Sequence, residues 1–392
     1  MREIRHVGFG SACVRQENKT QAAESHNPLI ASGSTEAIGQ DNEDVRRHVE
    51  AVRVTASGAP VMATHLTDAA VPKLDDRERH FHIPSPHRDI SLFLCYLPPL
   101  HETPPEGRVV LYVHGGTFSS ALSIAHRFDG RSWRDELCAA GFHVWGLDFH
   151  GFGCFSDPYP EMAAPADQAA PLGRTEDASR QLEQAARFIC GWHGVPRLSL
   201  IAHSWGTIVS GRFAGRCPEL VERLVFFGPI ARRERSADAV QLPGWRLISL
   251  RDQWDRFTET VPAGEPPVLL RRHFDEWGER YLDSDPESRT RTPASVKVPS
   301  GAFQDIFDAF AGELAYDPAR VRAPVAIIRG EWDSLCTDQD AGWLFNAFTA
   351  VPHKRDIKIG RGTHLLHLEA NRYALYREAE CFLLGHDAAP AY

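Results

Sequence analysis

The stretch Leu198-Ser199-Leu200-Ile201-Ala202-His203-Ser204-Trp205-Gly206-Thr207 decides how this chain folds. An apolar, β-prone run ends in small-x-Ser-x-Gly and passes at once into helix-compatible sequence that continues to Cys217. That is the pattern of a nucleophile elbow, in which a strand turns sharply into a helix and holds a serine at the apex. Small residues at Ala202 and Gly206 relieve crowding between strand and helix while the backbone at Ser204 is strained. The helix N-terminus brings free N–H groups and a positive dipole end beside the serine, where an oxyanion forms during acyl transfer.

On either side of the elbow, buried-strand patterns recur at residues 109–113, 143–148, 224–227, 325–329 and 356–359, with the elbow strand itself at 198–202. Helix-like segments lie between several of them, at 132–140, 175–193, 207–217 and 341–349, and a final helix is expected over 366–384. Strands alternating with helices predict an α/β fold with a mostly parallel central sheet covered on both faces. Before this rhythm starts, alternating β-branched stretches at 49–66 and 80–97 suit antiparallel strands at the sheet's edge. One interval breaks the rhythm: about 90 residues separate the strand ending near Phe227 from the one starting at Val325, far more than an αβ connection needs. This interval, residues 231–320, holds Trp245, Trp254, Phe257, Phe274, Trp277, Tyr281, Phe303, Phe307 and Phe310. It reads as a helical cap inserted after the sixth strand, with residues 46–230 and 321–392 forming the two parts of the core. Those aromatic residues suit an apolar substrate, and equally the core that a cap needs for itself. Residues 1–45 are polar, with little periodicity, and read as a mobile arm.

Bulk properties narrow the function. With 392 residues, 43% hydrophobic and 24% charged, the chain has the composition of a globular protein. A net charge of -9 and the lack of a long basic run give no reason to expect a nucleic acid or an anionic membrane as partner. No stretch reaches the length of a membrane span, and residues 1–10 lack the apolar core of a signal peptide. The eight cysteines are scattered without a CxxC pair, which argues against a zinc ribbon or a disulfide framework. Cytoplasmic residence and a small-molecule substrate are the resulting expectations.

A serine hydroxyl is a poor nucleophile at neutral pH and needs an adjacent base, normally a histidine oriented by a carboxylate. In the fold class built around such an elbow, these partners follow the serine in the order acid, then histidine, each in a loop after a strand. The strand at 325–329 is followed by Gly330-Glu331-Trp332-Asp333, and the strand at 356–359 by Gly360-Arg361-Gly362-Thr363-His364. Asp333 is the expected acid. Glu331 lies too close to the strand end, and Asp338 is the weaker substitute. Asp333 also stands where an aspartate commonly caps a following helix. His364 is the expected base, and His367, one turn further on, the alternative. After the strand at 109–113 comes His114-Gly115-Gly116-Thr117, whose glycines let backbone amides approach a carbonyl oxygen closely. The expected oxyanion donors are the backbone N–H groups of Trp205 and Gly116, with Thr117 the alternative to Gly116. His114 reads as a loop brace, and the Trp205 ring as a contact to either substrate or a helix interface.

Together, the segments around His114, Ser204, Asp333 and His364 resemble the α/β-hydrolase fold over residues 109–384. Asp148-Phe149-His150-Gly151-Phe152-Gly153 resembles that superfamily's D-x-R-G-x-G loop, with His150 in place of Arg, so Asp148 is given a structural role. The resemblance implies acyl transfer through an acyl-serine intermediate, without a cofactor, in which Ser204 attacks, His364 takes and returns the proton, and Asp333 fixes the imidazole tautomer. A serine at the elbow argues against haloalkane dehalogenases and epoxide hydrolases, which use aspartate there. Ser204-Trp205-Gly206 resembles the elbow of prolyl iminopeptidases, but their His-Gly-Gly-Pro-Gly is here His-Gly-Gly-Thr-Phe. Those enzymes also need cap carboxylates to hold an ammonium group, for which Glu265, Asp275, Glu276 and Glu279 are available. The expectation is therefore an esterase or lactonase acting on a small apolar substrate, with a peptidase or an acyltransferase using the same triad as alternatives. Two rivals come from other classes. His80, His82 and His87 form H-x-H-x4-H, a possible metal set without an obvious fourth ligand, and a hydrolase scaffold can also serve binding alone.

Overall fold

Uninterrupted β-branched apolar runs of strand length such as Val109-Val110-Leu111-Tyr112-Val113 suit strands covered on both faces. In a computed structural model, which describes residues 73–234 and 241–385 and the backbone of 64–65, that is what they form. The early strands are β1 (Thr64–His65), β2 (Arg79–Pro84), β3 (Ser91–Leu97), β4 (Val109–Val113), β5 (His143–Asp148), β6 (Leu198–His203) and β7 (Val221–Phe227). Later come β8 (Trp245–Ser249), β9 (Ser295–Pro299), β10 (Val325–Gly330) and β11 (Lys354–Ile359). Among the described residues nine of these make one sheet, in the order β1-β2-β3-β5-β4-β6-β7-β10-β11. The pairs from β1 through β3 to β5 are antiparallel, and every pair from β5 onward is parallel. β4, β6 and β10 are buried at every position.

Successive side chains on these strands face opposite layers. Val110 and Tyr112 enter one core with Trp133 and Tyr376, whose rings stack at 5.0 Å. Those two residues belong to helices α1 (Trp133–Ala139) and α8 (Arg372–Leu383). Leu111 and Val113 enter the other core with Leu182 and Ile208, from α2 (Thr175–His193) and α3 (Trp205–Arg216). From β4 the chain steps to β5 on one side and then crosses to β6 on the other. The resulting switch point, at the carboxyl ends of β4 and β6, is where α/β sheets open a crevice for ligands.

Between β7 and β10 lies the insertion, after the sixth strand if the two-residue β1 is set aside. It is not purely helical. It carries α4 (Leu250–Thr258), α5 (Arg271–Asp283) and α6 (Gly301–Phe310), but also a two-stranded antiparallel sheet of β8 and β9. The alternation in Trp245-Arg246-Leu247-Ile248-Ser249 and Ser295-Val296-Lys297-Val298-Pro299 is the missed signal, since each strand has its partner far away in sequence. The insertion's aromatic residues largely pack on one another. Trp277 stacks on Tyr281 at 5.0 Å and meets Phe257 edge-on at 5.1 Å, and its Nε1 donates to Leu122 O at 2.9 Å.

Helix boundaries shift for local reasons. α7 spans Asp338–Ala347, earlier than expected, because Thr337 and Asp340 form a capping box. The last helix starts only at Arg372, after a 3-10 turn at Leu366–Leu368, because Glu369 folds back to accept from the Thr363 N–H at 3.0 Å and from its hydroxyl. The expected N-terminal arm and most of the strand expected at 49–66 lie outside the described residues. No helix among the described residues is long and apolar enough to cross a membrane.

One buried carboxylate ties the insertion to the core. Asp305 on α6 accepts from the Trp205 Nε1 at 2.8 Å, from the Thr175 N–H at 2.7 Å and from the Thr175 hydroxyl at 2.6 Å, and pairs with the Arg174 guanidinium. It thereby joins α6 to the starts of α2 and α3. Asp305→Ala leaves these donors without an acceptor in a buried setting, and is expected to destabilise the fold by about 3–5 kcal/mol. A urea titration checks this; a midpoint within error of the parent's contradicts the account.

Candidate active site

The elbow forms as a strained turn. Ser204 has φ 55° and ψ −126°, between the last residue of β6 and the first of α3. Its N–H donates to Phe227 O at 3.0 Å, and its carbonyl accepts from the Thr207 N–H at 2.9 Å and the Thr207 hydroxyl at 2.6 Å, so the unusual conformation is held from both sides. Glycine is required at position 206, where a Cβ would stand 2.5 Å from His114 O and 2.7 Å from Val113 O. Ser204 is nearly buried, at 5% exposure.

Loops after β10 and β11 bring the next two residues together. A Cβ on Gly330 would lie 2.2 Å from Gly362 O, and the Trp332 N–H donates to that same oxygen at 2.8 Å. This contact sets Asp333 beside His364, with Nδ1 3.0 Å from each carboxylate oxygen. A carboxylate only accepts, so Nδ1 carries the proton and Nε2 the lone pair. Nε2 is buried and has no protein partner among the described residues. Asp333 also accepts from the N–H groups of Leu335 and Cys336 at 2.9 and 3.0 Å, so the turn-capping role and the contact with His364 coexist. Gly228, after β7, lies under the pair; a Cβ there would be 3.0 Å from the His364 ring and 3.1 Å from Asp333 Oδ2. Sequence reading passed over Gly228, although a glycine ending an apolar strand was the available signal.

The weaker candidates stand apart. Glu331 is exposed and accepts from the Arg361 N–H at 3.0 Å. Asp338 is drawn to Arg329 and Lys358. His367 is buried against His203 and bonds to Ser123 Oγ at 3.2 Å, and burial pushes its pKa down to about 3. His203 donates from Nε2 to His364 O at 3.0 Å, which joins the residue before Ser204 to the histidine loop. Burial first, and the neighbouring histidines second, hold His203 well below the usual imidazole range.

The glycine loop closes the other side. A Cβ on Gly115 would be 3.2 Å from Ser204 Cβ, and one on Gly116 would be 2.9 Å from Ala302 of α6. His114 braces this loop, with Nδ1 2.7 Å from Gly115 O and Nε2 accepting from the Phe149 N–H at 3.2 Å. Asp148 likewise accepts from Ser120 N–H and Oγ at 2.8 and 2.6 Å, a structural role. The Trp205 ring resolves to a helix-interface contact through Asp305, and its N–H, as the first of α3, has no acceptor within the helix. The Thr117 hydroxyl accepts from Arg256 Nη1 at 2.9 Å.

The acidic residues weighed for an ammonium site are all exposed and face arginines: Glu265 toward Arg361, Asp275 toward Arg271, Glu276 toward Arg280 and Glu279 toward Arg289. The three histidines weighed as a metal set do not converge. His80 bonds Glu78 at 2.8 Å, His82 bonds Ser91 at 3.0 Å and His87 bonds Asp177 at 2.6 Å. Among the described residues no group of three or more His, Cys, Asp or Glu side chains is arranged to hold a metal ion.

A parallel sheet with its switch point at a strained serine, and an aspartate–histidine pair carried by two later loops, defines the class. The chain belongs to the alpha/beta hydrolase fold family, whose model matches residues 108–371. It is 24% identical over 206 residues to a homoserine O-acetyltransferase of Deinococcus radiodurans, a match covering 49% of this chain and 55% of that protein. The chain thus spans about half the length of that relative. Among solved structures it resembles a serine hydrolase from the polyaromatic hydrocarbon-degrading bacterium Cycloclasticus zankles, with 14% identity, TM-score 0.54, and 80% of this chain and 100% of that one covered. It also resembles a monoacylglycerol lipase of Paleococcus ferrophilus, with 19% identity, TM-score 0.50, and 76% and 99% covered. At such identities these two structures speak for the fold alone.

Burial raises the Glu369 carboxyl, in the His364 loop, to about 7, which exceeds what its bonds to Thr363 take back. A carboxyl raised in the folded state binds more protons there than in the unfolded chain. Its contribution is therefore complete at acid pH and is lost as pH rises from about 4.5 to about 7. Glu369→Gln should remove that loss, on the order of 3 kcal/mol, and flatten the melting temperature against pH over this window. An unchanged slope in the variant contradicts the assignment.

Proposed function

We propose that this protein is a serine hydrolase that cleaves a carboxylic ester or lactone of a small molecule through an acyl-serine intermediate. The observation that carries the reading is the His364 ring: Nδ1 is fixed on Asp333 while the buried Nε2 is left without a partner, in the loop joined to the elbow serine. Ser204 Oγ attacks the carbonyl carbon as Nε2 takes its proton. The oxygen of the tetrahedral intermediate is held by the N–H groups of Trp205 and Gly116, with Thr117 the alternative donor. Collapse breaks the bond to the alcohol oxygen, which leaves with the proton from His364. Water, deprotonated by the same nitrogen, then attacks the acyl carbon and releases the acid and free Ser204. Asp333 keeps the imidazole in the required tautomer and offsets the imidazolium charge. The insertion acts as a cap, since α6 lies directly over Gly116.

A second reading, acyl transfer to an alcohol, is favoured by one finding, the similarity to an O-acetyltransferase. It uses the same first half-reaction and replaces water by a substrate hydroxyl. A peptidase reading has less support, since the carboxylates it needs are exposed and face arginines.

Ser204→Ala should abolish labelling by a fluorophosphonate and nearly all turnover of p-nitrophenyl esters, with the fold intact by circular dichroism. Labelling that persists in the variant refutes the nucleophile. Asp333→Asn should cost up to ~10⁴-fold in kcat. A fully active Asp333→Asn variant moves the acid role elsewhere. Product analysis with added alcohols separates the two readings: a free acid under all conditions marks a hydrolase, and a transferred acyl group marks the transferase.

A further inference from the structure

Several arginines of this protein that are buried or part-buried have carboxylate partners. Arg134 pairs with Glu78, Arg174 with Asp305, Arg233 with Asp340 and Arg329 with Asp356. This is the expected state, because an uncompensated charge away from water is costly. Arg256, in the last turn of α4, departs from it. Nη1 donates to Thr117 Oγ1 and to Gln253 Oε1, both at 2.9 Å, and both acceptors are neutral. Among the described residues no carboxylate forms an ion pair with it. Asp252 is engaged in capping α4 through Ser249. Burial lowers the Arg256 pKa, and the more distant charges of Glu259 and Asp252 offset this only in part, neither being hydrogen-bonded to it.

The contact with Thr117 fixes where this charge sits. Thr117 follows Gly115 and Gly116, the loop that packs on Ser204 and lies under Ala302. Arg246, on β8, reaches the same region from another element. Its guanidinium lies 4.3 Å from the centre of the ring of Phe303, the residue after Ala302. Its Nε is buried without a partner, and it too has no ion pair among the described residues. The Arg246 guanidinium disfavours the charge on Arg256, as like charges do where little water screens them, and neither group has a carboxylate in direct contact among the described residues.

A guanidinium has five N–H donors. Both Nη1 hydrogens of Arg256 are engaged by Thr117 and Gln253, which anchors the group and leaves the donors on Nε and Nη2 without a protein acceptor among the described residues. Such an edge matches the two oxygens of a carboxylate. Resting on the ester-hydrolase reading above, we propose that the substrate carries a carboxylate in addition to its scissile ester, and that Arg256, seconded by Arg246, binds it and sets the preference for anionic substrates. This adds a polar requirement to a site whose aromatic neighbours are engaged in packing.

The test compares ligands that differ in charge alone, bound to the full-length Ser204→Ala protein in calorimetry. One pair is 3-acetoxybenzoate and 3-acetoxybenzamide, with the charge on the alcohol side. The other is monomethyl glutarate and its terminal amide, with the charge on the acyl side. At least one acid should bind roughly tenfold to a hundredfold more tightly than its amide, and the ratio should collapse toward one with Arg256→Gln added. Arg256→Lys, which keeps the charge but loses the two-pronged edge, should retain part of the ratio. No preference for the acid in either pair overturns the proposal, as does a preference that survives Arg256→Gln. Tighter binding of 3-acetoxyphenyl phosphate than of either acid overturns the carboxylate assignment. Should Arg256→Gln not fold, the ratio in the parent and in Arg256→Lys decides. Fluorophosphonate labelling of wild type is read separately, so failure of the nucleophile assignment and failure of the anion site are distinguishable.

Discussion

The close approach of the start of α3 to the end of β4 is the constraint on which the rest depends. A helix that begins one residue after its strand must turn within a single residue, and Ser204 takes that turn at φ 55°. The turn brings Gly206 so near the backbone of Val113 and His114 that no side chain fits. The same proximity puts the glycine loop after β4 beside the serine. Strain of this kind persists only where the surroundings over-determine it, and here the surroundings are a sheet buried on both faces. Phe227 O and the Thr207 side chain hold the two ends of the turn.

Around this point the polar groups are arranged so that charge is scarce. His114, His203 and His367 are buried, and burial keeps all three neutral by lowering their pKa values. The first braces the glycine loop, the second joins the elbow to the His364 loop, and the third packs behind it. Against that neutral background, the Asp333–His364 pair and the unpaired Arg256 are distinct. A carboxylate next to an imidazole fixes which ring nitrogen carries the proton. Arg256, among the described residues, is held by the neutral acceptors Thr117 and Gln253 and by no carboxylate.

The insertion shows why function is not read from fold alone. Its aromatic residues look like a binding surface in sequence, yet Phe257, Phe274, Trp277 and Tyr281 are buried against one another. Its distinguishing chemistry lies in Asp305, which fastens α6 to α3, and in Arg246 and Arg256. Neither motif spacing nor periodicity marked any of the three, because each acquires its meaning from partners far away in the chain: Trp205 for Asp305, Phe303 for Arg246, Thr117 for Arg256.

What the sequence determined by itself is the part written in short-range pattern. Apolar runs of strand length, helix periodicity and glycines at strand ends specify the parallel sheet and the elbow, because backbone geometry acts over a few residues. The chain order of Ser204, Asp333 and His364 was legible for the same reason, each residue lying just after a strand. Tertiary structure alone decided the pairing of β8 with β9, whose partners are distant, and the late start of α8, which the fold of Glu369 onto Thr363 imposes. It also set Asp333, rather than Glu331 or Asp338, against the His364 ring, and packed the equally buried His367 against His203 instead. The lack of a carboxylate beside Arg256 among the described residues belongs to this second group, because it is a property of everything packed around a side chain and of no single segment.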